Sequence, residues 1–338
     1  MEQVRVGILG CGFIGGTHAK ALAKVDGVEI TALCDSERGK AEALARRLAD
    51  DPSAPVSGAG PSIHTRFGEM IAGDVDAVFV CLPPFAHDGE VEQAAAAGKH
   101  VFIEKPIALT TDAAGRMVDA AEAAGIVTQV GYMMRFSPAI ERIRSLIEDG
   151  TAGRPTLYQA TYNCNALHAP WWRERAKSGG QIFEQAIHLY DLALHFLGEP
   201  ATVSAAMANL CHQDVENYSI EDTSSAVIQF TNGAIGNLNA SNCAVPGEWN
   251  HAFTLVCERM VATLRNGSEL ELVFTGGEEV RRETATFDDD VFVAEDAAFI
   301  DSVRAGRPSP VPMSVGRAGV RLVEAATRAA ETRTVVRL

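Results

Sequence analysis

One stretch, Gly10-Cys11-Gly12-Phe13-Ile14-Gly15, constrains this chain more than any other. It follows a β-branched apolar run, Val4 to Leu9, and opens a segment with helical patterning; a second strand-like run, Glu29 to Cys34, then ends at Asp35, twenty residues after Gly15. In a parallel sheet that spacing has a mechanical meaning. Gly10 permits the tight turn, Gly12 lets backbone approach a pyrophosphate, and Gly15 lets helix and strand pack closely while the helix amides, from Phe13 and Ile14 onward, face the anion. An ordinary strand-to-helix turn also uses glycine, but strand, helix and acid in register point to a dinucleotide whose ribose hydroxyls Asp35 would accept. An acid there opposes a phosphate on the ribose and favours NAD. Ser36 and Arg38 lie close enough to take that phosphate if Asp35 turned away, which leaves NADP as the second candidate.

The rest of the first half repeats the alternation of short apolar runs and helical patterns that a parallel sheet requires. Strands are expected at Val4 to Leu9, Glu29 to Cys34, near His64 to Phe67, Ala77 to Leu82, His100 to Ile103 and Ile126 to Val130, with helices such as Glu37 to Ala49 and Thr111 to Ala124 between them. Asp50 to Pro61, dense in Pro and Gly, reads as a loop. A helix starts at Ser137-Pro138 and runs to Gly150, after which the pattern changes. Val203 to Met207, Ser224 to Phe230, Ala234 to Cys243, Phe253 to Cys257, Met260 to Leu264 and Glu269 to Phe274 read as strands, and Asn232-Gly233 and Asn266-Gly267 between them are hairpin signals. Helices are expected at Asp290 to Ala305 and Ser314 to Glu331. The reading is an α/β protein: an N-terminal Rossmann doubly wound parallel sheet over residues 1–132, then a C-terminal α/β domain with a mainly antiparallel sheet over 133–338.

At 338 residues with 47% apolar side chains the chain can bury two cores, and its formal charge of -15 argues against nucleic acid or an anionic membrane as partner. The seven cysteines form no CxxC pair, which fits a reduced cytoplasmic interior. The chain opens Met-Glu-Gln and enters a strand pattern with no signal-peptide core, and no apolar run approaches the ~18 residues of a membrane span.

Ligands in open parallel sheets bind along the carboxyl edge of the strands, so Leu82-Pro83-Pro84 and Glu104-Lys105-Pro106, at two further strand ends, share a rim with Gly10 and Asp35. Lys105 could hydrogen-bond a substrate hydroxyl and stabilise negative charge on its oxygen; the alternative is a solvated loop lysine paired with Glu104. A helix expected over Gln181 to Leu197 sets Glu184, His188, Asp191 and His195 at steps of four, three and four, one narrow stripe at ~100° per residue. The stripe reads either as the wet side of an amphipathic helix or as a carboxylate supporting an acid/base imidazole one turn away. A metal site would need ligands from elsewhere, and none is assigned. Trp171, Trp172 and Arg173, in the loop before this helix, suit a sugar's CH face and hydroxyls, although tryptophans more often simply pack; Arg135 and Tyr162 are further substrate candidates. His18, His87, His168 and His251 have no recognisable partner and are read as structural.

Taken together, the glycine motif, Cys81-Leu82-Pro83-Pro84, Lys99 to Pro106, Gly179-Gly180 with the Glu184 to His188 segment, and Leu197-Gly198 resemble the glucose-fructose oxidoreductase, inositol dehydrogenase and MocA family of NAD(P)-dependent oxidoreductases, across essentially the whole chain. The resemblance implies a Rossmann domain and an α/β domain whose open sheet makes the interface of a homodimer or homotetramer, with the active site between domains. It implies that Lys105 is the catalytic lysine and His188 the acid/base histidine. Glu184 departs from the aspartate usual in inositol dehydrogenases. Expected chemistry is hydride transfer between a secondary alcohol on a sugar, inositol or polyol and NAD. The rivals are a glycosidase that uses NAD for transient oxidation and a non-catalytic dinucleotide-binding regulator.

Overall fold

The structure, a computed structural model, describes residues 3–58 and 60–338. Met1 and Glu2, at the expected leader-free start, and Ala59, in the expected loop, lie outside the described residues. The chain divides into two compact units, Met1–Met133 with Asp290–Arg317, and Met134–Asp289 with Ala318–Leu338.

In the first unit six parallel strands, β1 (Val4–Leu9), β2 (Val28–Cys34), β3 (Ser62–His64), β4 (Ala77–Val80), β5 (His100–Ile103) and β6 (Thr128–Val130), lie in the order β3-β2-β1-β4-β5-β6. Strand order reverses between β1 and β4, so the crevice of a doubly wound sheet opens at their carboxyl ends. All four side chains of β4 are fully buried, as a strand covered on both faces requires. The third strand ends at His64, where the strand expected near His64 to Phe67 begins. Phe67, Met70 and Ile71 recur at helical spacing, and Phe67–Ile71 is a helix.

A late helix, Val291–Ala305, completes this unit, although chain order assigned it to the second domain. Its Phe299, Ile300 and Val303 enter the core with Val4, Ile8, Phe79 and Phe102. Phe79 and Phe102 stack at 4.6 Å, and Phe299 meets them edge-on at 5.5 and 5.8 Å. Position along the chain does not say which sheet an apolar helix stripe will cover, and here it covers the first.

The second unit carries nine strands: β7 (Pro155–Asn165), β8 (Pro200–Ala208), β9 (Thr223–Phe230), β10 (Ile235–Pro246), β11 (Trp249–Cys257), β12 (Met260–Arg265), β13 (Glu269–Phe274), β14 (Arg281–Thr286) and β15 (Val336–Arg337). Their order is β14-β13-β12-β11-β7-β10-β9-β8-β15, and only the β7–β10 pair is parallel. Both Asn-Gly turns make hairpins; Asn266 and Gly267 have φ of 51° and 72°, the conformation for which such a pair is suited. Sequence pattern missed β7, β14 and β15. In β7 the buried face mixes Tyr158, Ala160 and Cys164, which blurs the alternation; β14 is a polar, exposed edge, and β15 is only two residues long. Along β9, Ser224, Ala226, Ile228 and Phe230 are buried and the residues between them are not, so one face packs and the other is open. Helix Ile187–Leu197 lies against β7 and β10. Among the described residues no helix is long and apolar enough to cross a membrane.

Candidate active site

In the first unit each glycine of the motif has a different reason to be glycine. Gly10 has φ +92°, and a Cβ there would lie 2.4 Å from the Cys81 carbonyl oxygen; one at Gly15 would lie 2.0 Å from that of Gly10. Gly12 differs: apart from its own chain neighbours, no protein atom lies within 4 Å of where its Cβ would be. Its small size leaves a cradle for something other than protein, at the start of helix Phe13–Leu22, where unsatisfied amides favour an anion. Asp35 is fixed beside it. One oxygen accepts the Cys11 N–H at 2.9 Å and the other the Glu37 N–H at 2.9 Å. These residues fit NAD, with Gly10 to Gly15 for the pyrophosphate and Asp35 for the ribose. Arg38, held in reserve for a ribose phosphate, directs its Nε to Glu42 at 2.9 Å along its own helix, while Ser36 is exposed. Phe13 is 91% exposed, whereas the Ile14 side chain packs on the core.

Pro83 leads into a single turn, Pro84–Ala86, and Leu82 reaches within 3.3 Å of the Gly10 Cβ position. Beyond β5, Glu104 is buried and turns inward rather than toward a cofactor. Its Oε1 meets Nε2 of His18 at 3.0 Å, and its Oε2 accepts the backbone N–H of Lys105 at 3.1 Å. A Cβ at Gly131 would come within 2.7 Å of that carboxylate, so glycine there makes room for it. The Nδ1 of His18 meets Asp296 at 2.8 Å. Burial alone would lower the pKa of His18, but Asp296 and Glu104 raise it well above the ordinary histidine value. His18 therefore joins the glycine-motif helix, the Lys105 turn and the late helix. Sequence reading left it without a partner because its two partners stand 86 and 278 residues away.

In the second unit Gly179 and Gly180 have φ of 80° and 109°, and a Cβ at Gly180 would lie 2.6 Å from Glu221. The buried Glu221 accepts the Ile182 N–H at 2.8 Å and an Arg175 guanidinium N–H at 2.6 Å, tying down the start of the next helix. That helix is not the single element expected. Residues Gln181–Glu184 and Ile187–Leu197 are separate because the Gln181 carbonyl accepts both the Gln185 and the Ala186 N–H, at 3.0 and 2.9 Å, which widens the turn between them. Glu184 is thereby taken off the straight stripe that the spacing drew. The Trp172 indole N–H donates to its Oε2 at 2.6 Å, and Trp172 is only 2% exposed. This tryptophan packs and positions at once.

Nor is the stripe a wet face. His188 is 5% and Asp191 1% exposed. Asp191 accepts two guanidinium bonds from Arg135, from Nη2 at 2.7 Å and Nε at 2.8 Å. Burial raises the Asp191 carboxyl's pKa even though Arg135 opposes the shift. The His195 imidazole is pushed down to about 3 by burial, with Arg135 and Arg144 adding to the effect. Two expected substrate contacts have partners inside the protein: Arg135 holds Asp191, and Arg173 donates to the Leu167 and His168 carbonyls at 2.9 and 3.2 Å, fastening its own loop. Tyr162 stacks on His251 at 5.9 Å, and burial raises its hydroxyl's pKa. Trp171 is half-buried. The other partnerless histidines also find neighbours: His87 bonds to Glu90, and His168 packs on Trp172 at 4.2 Å.

Comparison with known proteins agrees with both units. The family model for the GFO/IDH/MocA oxidoreductase family with an NAD-binding Rossmann fold matches residues 4–132, and the model for the GFO/IDH/MocA C-terminal domain matches 140–263. The chain is 31% identical to scyllo-inositol 2-dehydrogenase (NAD(+)) of Bacillus subtilis, over 73% of this chain and 69% of that one. It is 28% identical to myo-inositol 2-dehydrogenase of Thermotoga maritima, over 99% and 98% of the two chains. A structure of levoglucosan dehydrogenase in complex with NADH and L-sorbose superposes with a TM-score of 0.90 at 21% identity, covering 100% of this chain and 99% of that one. The chain belongs to the GFO/IDH/MocA family of NAD-binding oxidoreductases.

Proposed function

We propose that this oxidoreductase interconverts a secondary alcohol and a ketone on a sugar, inositol or related polyol, with Lys105, Glu184 and His188 as the residues that carry the chemistry. NAD, when bound, supplies the hydride acceptor. The His188 imidazole takes the hydroxyl proton, and the Lys105 ammonium donates to the same oxygen as negative charge develops on it. Glu184, held by the Trp172 indole, orients substrate and supports the protonated imidazole. What carries the reading is the burial of His188 together with a Glu184 carboxylate held in place by a tryptophan on the helix just before it, since a solvated surface stripe has no use for either feature. Inositol and sugar substrates are supported by the two inositol dehydrogenases among the relatives.

His188→Ala should cut turnover by about 10²- to 10⁴-fold while leaving the dissociation constant for NAD, measured by fluorescence titration, nearly unchanged. Normal turnover in that variant, on a substrate found by screening polyols, inositols and sugars for NADH formation, would remove His188 from the mechanism. Lasting NADH production separates net oxidation from glycoside cleavage, in which a sugar leaving group is released and NADH does not accumulate.

A further inference from the structure

Five of the seven cysteines are buried; the exceptions are Cys211, which is exposed, and Cys243, which is half-buried. Although 32 positions apart in the sequence, these two meet. Cys211 lies in the segment between β8 and β9, Cys243 lies on β10, and their sulfurs and an Asp222 oxygen are all within 4.8 Å of one another.

Two chemistries suit a pair of thiols beside a carboxylate: a thiophilic divalent cation such as zinc, or a disulfide. The hydrogen bonds of Asp222 decide between them. Its carboxylate accepts the backbone N–H of Leu210 at 3.0 Å, of Cys211 at 2.7 Å and of His212 at 3.1 Å, the His212 ring Nδ1 at 3.2 Å and the Thr223 hydroxyl at 3.1 Å. With that many donors already on its oxygens, Asp222 has little lone-pair capacity left for a metal, and two thiolates alone make an incomplete zinc site. The same bonds suit a disulfide. They hold the Cys211 backbone in place and leave its exposed side chain to turn toward Cys243, closing a gap of a few ångströms to the ~2.05 Å of an S–S bond.

We propose that Cys211 and Cys243 form a reversible thiol–disulfide site that takes low-molecular-weight disulfides of the glutathione type as oxidant. The exposed Cys211 reacts first. Its thiolate attacks one sulfur of oxidised glutathione, breaks that S–S bond and releases one reduced glutathione, leaving a mixed disulfide. Cys243 then gives up its proton and attacks the Cys211 sulfur, releasing the second glutathione as a thiol. In balance, two protein thiols are oxidised to one disulfide and one oxidised glutathione is reduced to two thiols. Burial, with the hydrogen bond to Cys211, pushes the Cys243 thiol up to about 12, so the second step is the slower one.

The bond would join the β8–β9 segment to β10 beside Asn242. The Asn242 side chain and the Asp222 carbonyl together hold the amide of Gln181, at 3.0 and 3.1 Å, at the head of the short helix that carries Glu184. The site itself does not depend on the proposed reaction, and its test uses no substrate. The folded protein, treated with excess oxidised glutathione, is followed by intact mass and by peptide mapping without reduction. The expected product has lost two hydrogens, carries a Cys211–Cys243 cross-link and returns to starting mass with dithiothreitol. Cys243→Ser should instead stop at a glutathione adduct on Cys211, and Cys211→Ser should give neither. A stable glutathione adduct on the unaltered protein, or a cross-link that maps to other cysteines, overturns the proposal. So does tight binding of zinc alone that is lost in both serine variants, which would make this a metal site.

Discussion

At the scale of single residues, the three motif glycines separate folding from binding. Gly15→Ala must displace the Gly10 carbonyl and should unfold the protein at a lower temperature; Gly12→Ala meets no protein atom and should leave the thermal midpoint unchanged while weakening NAD binding. Calorimetry with NAD titration on both variants checks the contrast, and a Gly12→Ala protein that binds NAD normally would contradict the cradle. Trp172 makes a second case. Trp172→Phe keeps most of the packing and removes only the N–H that holds Glu184, a bond to a carboxylate of the kind that contributes about 1.5–3 kcal/mol. We expect kcat/KM to fall by about 10- to 100-fold in steady-state assays with the fold intact by circular dichroism. The glycine turn could be read from sequence because the strand, the three glycines and the following helix are contiguous in the chain, even though the carbonyl that crowds Gly10 belongs to Cys81. The duties of Trp172, Arg135 and Arg173 could not, since an aromatic or guanidinium that faces a ligand and one that braces a loop look alike until its partner is known.

At the scale of elements, the segment from Gln181 to Leu197 shows what periodicity can and cannot carry. Its spacing correctly marked a helical, largely apolar stretch, but not the widened turn at Gln185 and Ala186, which arises from a shared carbonyl and not from a helix-breaking residue. The turn of the stripe that follows is buried, and its titration has a consequence for stability. His195 stays neutral in the fold down to about 3, whereas in the unfolded chain it takes a proton near 6.5. A depressed folded-state value means that its contribution is whole above the unfolded value and is lost as pH falls from there toward the folded one. His195→Gln should therefore show a shallower loss of thermal midpoint over that interval than the unaltered protein. Parallel slopes in a pH series of melting curves would show that His195 titrates as it does in the unfolded chain.

At the scale of the whole molecule, the chain leaves its first unit at Met133 and returns to it at Asp290. The returning helix supplies Phe299 to the Phe79–Phe102 stack and Asp296 to His18, so the NAD-binding unit is not assembled until residues far down the chain arrive. Phe299→Ala should cost about 3–5 kcal/mol, as a fully buried phenylalanine does. Denaturant titration monitored by NAD binding would register that loss in the first unit, and a change below about 1 kcal/mol would mean that the helix is dispensable to it.

The sequence by itself determined the parallel sheet, the dinucleotide turn and the two Asn-Gly hairpins, because each rests on backbone geometry or on periodicity within a few tens of residues. Only the tertiary structure decided that Val291–Ala305 covers the first sheet, that β7 lies at the centre of the second, that Glu104 faces inward to His18, and that Arg135 and Arg173 serve the protein itself. Those outcomes depend on partners tens to hundreds of residues distant. Burial and charge pairing select such partners when the chain collapses, and they leave no local periodicity by which to read the choice in advance.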